Sequence, residues 1–188
     1  MKRIATIICC ILAITASAAA QNLSDVLKGN EALSKIFVNP MGIDNVLDQH
    51  DANALKADLD KLGVTYQTRA FGKYGEAFAI TPSGFEIGGV PVARMVIMVQ
   101  PDFNCMMLMS EPSDNYLDLC SYIDNALSGI SERIEGNAAD PAALHQYMLT
   151  DTCGIGVIPT PQNKTSIVTL MDIRNLMGFI SLYGLTAQ

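Results

Sequence analysis

Sulfur-bearing side chains are concentrated in one short stretch of the sequence and are the first candidates for chemistry. They lie between positions 95 and 109 and comprise Met95, Met98, Cys105, Met106, Met107 and Met109. Thioether and thiolate groups are soft ligands that suit Cu(I), and this stretch is therefore a candidate for soft-metal binding.

The geometry of a β-strand weighs against a metal site in this stretch. Successive side chains of a strand point to opposite faces, so Cys105 and Met107 are expected on one face and Met106 on the other. The intervening residues are aliphatic, and methionine commonly fills irregular gaps in such cores. We therefore interpret the stretch mainly as core and expect no cofactor. A site for a small apolar ligand is an alternative, with candidates Met95, Met98, Met107 and Met109.

A cysteine nucleophile is the second candidate for chemistry. Cys153 could act with His145 as its general base, and this pair would indicate a cysteine-dependent, hydrolase-like enzyme. The further residues that could take part are His50 as base and Asp151 or Asp172 as the orienting carboxylate. The residues around Cys153 match no family-specific pattern of cysteine hydrolases, so the enzyme is the alternative hypothesis.

The remaining motifs predict neither a nucleotide site nor a metal site. Gly154 and Gly156 begin like a dinucleotide-binding loop, but Pro159 replaces the third glycine and removes an N–H group that would hold a phosphate. Asp44, Asp48 and Asp51 lack the alternate spacing of a calcium loop.

The first twenty residues have the form of a secretory signal peptide. Lys2 and Arg3 precede an apolar run over 4–14, and small residues over 16–20 predict cleavage before Gln21. The short basic region is typical of bacteria, so we expect an exported protein that is periplasmic or secreted. The remaining residues, 21–188, are expected to form a single domain.

Charge and hydropathy limit the classes of partner. The whole chain has a net charge of −7, and without Lys2 and Arg3 the balance is 10 basic against 19 acidic residues, or −9. Nucleic acids and anionic membrane surfaces require clustered basic residues, so neither is an expected partner. The mature chain contains no stretch that predicts a membrane span. Its three cysteines, Cys105, Cys120 and Cys153, allow one disulfide or three buried thiols.

Hydrophobic periodicity predicts the strands and helices on which these residues lie. The tract from Phe85 to Ser110 predicts two adjoining strands, covered on both faces, at the centre of an antiparallel sheet. A helix is expected after Pro112 up to Gly136, with one apolar face that consists of Tyr116, Cys120, Ile123, Leu127, Ile130 and Ile134. Asp51 and Gly63 are expected to cap and end an earlier helix.

The C-terminal part is expected to alternate helices and strands. Asp140 and Pro141 predict a short helix that extends to about Thr150, and Asp172 predicts the cap of a final helix. Strands are expected over 154–158 and 165–171. The order of elements predicts an α+β fold, with a mainly antiparallel sheet of about five to seven strands covered by amphipathic helices.

The sequence as a whole favours an exported, non-catalytic binding protein of the bacterial envelope or exterior. Its ligand is expected to be another protein or a small apolar molecule. The alternatives are the Cys153 and His145 enzyme and Cu(I) binding by the methionine and cysteine cluster.

Overall fold

The chain forms a mixed α/β fold with an antiparallel sheet. The structure is a computed structural model that describes residues 27–44, 46–49, 51–70, 75–100, 103–131, 133–135, 143–150 and 152–173. The predicted signal peptide and the predicted C-terminal helix therefore lie outside the described residues. Within the described residues nine strands form one open sheet, accompanied by three α-helices.

The elements are as follows in chain order. The helices are α1 (Glu31–Leu33), α2 (Ala52–Lys61) and α3 (Asp118–Leu127). The strands are β1 (Tyr66–Ala70), β2 (Glu76–Ile80), β3 (Glu86–Ile87), β4 (Val90–Val99), β5 (Phe103–Ser110), β6 (Arg133–Glu135), β7 (His145–Met148), β8 (Cys153–Thr160) and β9 (Thr165–Ile173). A π-helical turn, Ser34–Val38, follows α1 directly.

The sheet consists of two meanders joined at one seam. The strand order is β1-β2-β4-β5-β9-β8-β7-β6, with β3 paired to β4, and every pairing is antiparallel. Strands that pair within each meander are close in sequence, whereas β5 and β9 are far apart in the chain. The seam between β5 and β9 therefore holds the two halves of the sheet together.

The two faces of the sheet differ in burial. On the inner face, the row Phe78, Ile97, Met106, Leu170, Ile155 and Tyr147 is buried in one apolar cluster that also includes buried residues of α1, α2 and α3. On the opposite face, which we call the outer face, Val96, Met98, Met107 and Met109 are only half-buried. The sheet therefore has one buried side and one partly solvated side, as is common in antiparallel sheets.

The central tract has the predicted position but not the predicted burial. β4 and β5 pair in the middle of the sheet, as expected from Phe85 to Ser110. The prediction that both of their faces are covered is wrong for β4, where burial alternates and Arg94 is exposed. The sheet also has more strands than the five to seven expected, because β3 and β6 are two and three residues long and give almost no periodicity.

The predicted ends of α2 are confirmed, and two glycines form the turn before β4. The side chain of Asp51 accepts a hydrogen bond from the Asn53 N–H at 2.9 Å and caps α2, and Gly63 follows the helix with φ of 68°. Gly88 and Gly89 form the two-residue turn between β3 and β4, with φ of 60° and 80°. Such a turn needs two left-handed residues, which glycine supplies without strain.

Helix α3 is shorter than predicted. It ends at Leu127, because Ser128 is extended and Gly129 takes a left-handed φ of 81°. Ile134 therefore belongs to strand β6 and not to the helical face, and Ile130 is 37% exposed beyond the helix end. The apolar spacing continues past the helix, but the backbone turns at the glycine.

One further prediction of a helix and one of a helix cap are wrong. Residues 145–148 form β7, which pairs with β8 from His145 opposite Val157 to Met148 opposite Gly154. The expected helix starts, Asp140 and Pro141, lie outside the described residues. Asp172 is not a helix cap, because it lies within β9 and pairs with Asn104 and Cys153. At 145–148, tertiary pairing outweighs the local helix signal.

Asn104 attaches an irregular segment to the inner face. Its Nδ2 donates hydrogen bonds to the carbonyl oxygens of Leu47 at 2.9 Å and Gln49 at 3.0 Å. The side chain is 2% exposed, and its Oδ1 has no partner among the described residues. The amide thereby links β5 to the carbonyl oxygens around the short 3-10 turn Val46–Asp48.

Candidate functional site

The structure does not bring Cys153 and His145 together. Both side chains lie on the inner face, but His145 is opposite Val157, four residues along β8 from Cys153. At a rise of about 3.3 Å per residue, the two positions are roughly 13 Å apart along the strand. His50 and Asp151 lie outside the described residues.

The environment of Cys153 also opposes nucleophilic chemistry. Its side chain is fully buried, and burial raises the pKa of the thiol well above its usual value, with a further contribution from the carboxylate of Asp172. Asp172 is the cross-strand neighbour of Cys153, so its charge acts against thiolate formation. A catalytic cysteine needs the opposite environment, with positive charge and access to solvent.

His145 is part of a polar cluster on the inner face. Its Nδ1 lies 2.8 Å from the Asp124 carboxylate, and the Tyr147 hydroxyl donates to the same carboxylate at 2.5 Å. His145 is 3% exposed and its Nε2 has no partner among the described residues. Asp124 therefore joins α3 to β7, and the described contacts indicate a structural link.

Asp124 and Tyr147 were not anticipated as partners of His145. Asp124 follows Cys120 by four residues and precedes Leu127 by three, so it borders the buried stripe of α3. This spacing was the indication in the sequence that Asp124 could contact a buried partner. Tyr147 gave no such signal, because its position on the inner face depends on the pairing of β7 with β8.

The three cysteines among the described residues are buried free thiols. Cys105 lies on β5, Cys120 on α3 and Cys153 on β8, and none of them forms a disulfide. Cys120 Sγ is 3.4 Å from the Ser166 hydroxyl. Of the two expectations, the structure has three thiols that pack as small apolar groups.

The candidate methionines separate onto both faces of the sheet. Met95 is fully buried on the inner face. Met98, Met107 and Met109 lie on the outer face and are half-buried. The placement of successive side chains of one strand on opposite faces was predictable. That Met98 lies on the same face as Cys105 and Met107 depends on the β4–β5 register.

The outer face extends across the central strands. Val96 is opposite Met107, Met107 is opposite Thr169, and Met109 is opposite Ile167. Ile167 is in turn opposite Ile158. All of these apolar side chains are half-buried. They form an apolar surface over β4, β5, β9 and β8 that the buried, polar Thr169 interrupts, with the exposed Arg94 at one end.

Two cavities formed by the described residues lie elsewhere. One of about 450 Å³ is lined mainly by residues 63–65 and 81–85, and one of about 560 Å³ lies beside Lys28 and Lys35. Neither is lined by the outer face. In the described part of the chain, no three His, Cys, Asp or Glu side chains group as metal ligands. No helix there combines the length and apolar character that a membrane crossing needs.

Comparisons with known proteins give no relative. No family model matches the chain, and neither the curated proteins nor the solved structures include a similar one.

Proposed function

We propose that this protein is an exported, non-catalytic binding protein of the bacterial envelope or exterior, and that the outer face is its binding surface. In this proposal the helices cover the inner face and the outer face takes the ligand. The export part rests on the sequence of residues 1–20. The observation that carries the binding part is the group of half-buried apolar side chains that spans the central strands on the outer face.

The composition of the outer face supports binding. Apolar patches that solvent reaches often mark interaction sites, because contact of apolar surface with water costs free energy. Methionine side chains are flexible and polarizable, so Met98, Met107 and Met109 can adjust to a partner's shape. Arg94 adds one positive charge at the end of this face in a chain of net charge −7, which favours an acidic residue of the partner nearby.

The shape of the outer face favours a protein partner over a small molecule. Small-molecule sites are concave and enclose most of the ligand surface. The outer face is one side of an open sheet, and the two described cavities lie elsewhere. An apolar segment of another protein fits such a surface. The enzyme alternative loses support, because Cys153 is buried and distant from His145.

Accessibility of the outer face is testable with the neutral apolar dye N-phenyl-1-naphthylamine. We expect the purified protein to bind the dye saturably, and Met109→Asp to weaken binding at least about tenfold, because a carboxylate in the apolar surface must be desolvated. Leu62→Asp is the matched control, since Leu62 is 46% exposed at the end of α2 and away from this face. Equal dye binding by the two variants, with unchanged melting temperatures, would contradict the proposal.

Export is tested separately. Expression of the full-length chain in a bacterium should yield an envelope or secreted species whose intact mass corresponds to an N-terminus near Gln21. A protein recovered only at the full-length mass would refute this part of the proposal.

A further inference from the structure

We propose that the edge strand β1 pairs with β1 of a second copy of this chain, antiparallel and about a two-fold axis at Thr68, so that the two sheets join into one. We call the free side of this strand, Tyr66–Ala70, the β1 edge. The pairing is independent of the proposed function, because it uses backbone groups at the rim of the sheet and not the apolar side chains of the outer face.

The sheet has two edges in the described residues, and only one of them is blunted. At one end of the strand order, β6 is three residues long and its register with β7 shifts between Arg133 and Glu135. Short strands and bulges of this kind keep an edge from pairing with other chains. At the other end, β1 is five residues long, contains no proline and pairs with β2 without a register shift. The β1 edge is therefore regular enough to accept another strand.

The β1 edge is accessible from both faces of the sheet. Successive side chains of β1 alternate between the faces, and the four over 67–70 are all exposed. Helices cover the inner face elsewhere, but this exposure shows that none packs on these residues. In the described part of the chain β1 pairs with β2 alone, so the backbone N–H and C=O groups of alternate residues point away from the sheet. Such groups are a template for a further strand.

The sequence of the β1 edge is complementary to itself. In an antiparallel pair centred on Thr68, Gln67 lies opposite Arg69 of the second copy, and Tyr66 lies opposite Ala70. The amide oxygen of Gln67 can accept a hydrogen bond from the guanidinium group, and the two copies of Thr68 form a cross-strand pair of a type that stabilises sheets. Two-fold symmetry makes each of these side-chain contacts between unlike residues twice.

The other symmetric registers are less favourable. Centring the pair on Arg69 would place two guanidinium groups opposite each other, and like charges directly opposite destabilise a sheet. Centring it on Gln67 would place Arg69 opposite Thr65, which lies outside the strand. Thr68 is the middle residue of β1, so its register alone pairs all five residues of both strands. These differences favour a second copy paired at Thr68.

The joined sheet would carry both outer faces on one side. Residues directly opposite each other in an antiparallel pair lie on the same face. Thr68 is opposite the inner-face residue Phe78, so the two copies of Thr68 meet on the inner side. Gln67 and Arg69 then meet on the outer side. The dimer would present two outer faces side by side.

Two charge changes at Gln67 test the register in opposite directions. Gln67→Glu places a carboxylate opposite Arg69 and should strengthen the dimer, whereas Gln67→Arg places two guanidinium groups together and should weaken it. Each dimer contains this contact twice, so the two dissociation constants should differ at least about tenfold. Sedimentation velocity at protein concentrations from about 1 µM to 1 mM covers the weak affinities expected of so small an interface.

The same two changes at Gln162 are the matched control. Gln162 is an exposed glutamine in the turn between β8 and β9, away from the β1 edge. Gln162→Glu and Gln162→Arg alter the net charge of the chain exactly as the Gln67 variants do. Their dissociation constants should equal that of the unmodified protein, which separates the contact with Arg69 from a general effect of charge.

Cysteine variants test the position of the two-fold axis. Thr68→Cys should form a disulfide between two copies under mild oxidation, because opposed Cα atoms are about 4.5–5.5 Å apart, within the reach of a disulfide. In Gln67→Cys the two cysteines are diagonal neighbours about 7–8 Å apart, so they should crosslink at least about tenfold more slowly. The cysteines of the unmodified chain are buried and do not compete.

The outcomes separate this proposal from the proposed function. A chain that stays monomeric at the highest concentration overturns the pairing and leaves the β1 edge to a strand of a different protein. Equal dissociation constants for Gln67→Glu and Gln67→Arg, or faster crosslinking at position 67 than at 68, overturn the register. Dye binding measured on the same samples reports on the outer face alone, so either proposal can fail without the other.

Discussion

Native-state alkylation of the three thiols tests the exclusion of cysteine catalysis most directly. Cys105 is the quantitative case, because burial raises its pKa from 9.0 to about 12. Iodoacetamide reacts with the thiolate, and each pH unit is a factor of ten in thiolate population below the pKa. At pH 8 native Cys105 should therefore react about a thousandfold more slowly than an unburied thiol.

The other two thiols should also be protected. The pKa of Cys153 is raised well above its usual value by burial and by Asp172. Burial also raises the pKa of Cys120, although the hydrogen bond with Ser166 opposes this effect. We therefore expect Cys120 to react first among three slow thiols.

The assay is peptide mass spectrometry of protein alkylated for increasing times, native and in guanidinium chloride. Unfolded protein supplies the matched control, because all three cysteines are then in water. Raising the pH from 8 to 9 should increase the native Cys105 rate about tenfold if the folded thiol reacts directly. If reaction requires unfolding, the increase should be about fivefold, as expected for an unburied thiol of pKa 9.0. If native Cys153 is alkylated at a rate within tenfold of its rate in unfolded protein, the exclusion of cysteine catalysis is refuted and the enzyme hypothesis is favoured.

Two substitutions test the packing that supports the sheet. Asp124→Ala removes the acceptor of two buried side chains and should lower the free energy of unfolding by about 3 kcal/mol in urea titration. Asp124→Asn keeps one acceptor and should lower it by less. Equal losses for the two variants would contradict this role of Asp124. Gly88→Ala should destabilise by about 1–3 kcal/mol more than Gly89→Ala, because only at Gly88 would a Cβ lie 2.5 Å from the Tyr122 ring. Both positions have positive φ, so equal melting temperatures for the two variants would show that this contact is unimportant.

The central strands and α2 were predictable because their signals are local. A run of apolar residues marked β4 and β5, and Asp51 and Gly63 marked the ends of α2. The error at His145 has the opposite origin. A proline-led start at 140–141 predicted a helix, but residues 145–148 pair with a strand that follows them in the chain. The energy of pairing with another strand cannot be inferred from the residues of one short segment alone.

The candidate site was predictable only in part. Alternation correctly separated Met106 from Met107, and this was the reason to discount a metal site. What it could not provide was the register between strands, which places Met98, Cys105 and Met171 in one row. A shift of one residue at the seam would move Met171 to the other face.

The seam between β5 and β9 has a consequence for how the chain folds. Each meander closes through short connections, but the seam joins residues as distant in sequence as Asn104 and Asp172. Closing so long a loop costs more chain entropy, so the seam is expected to form late. Until then β5 and β9 are unpaired edges of apolar strands, and such edges pair readily with other molecules. The refolding chain is therefore expected to aggregate before these two strands pair, and to aggregate more at higher protein concentration.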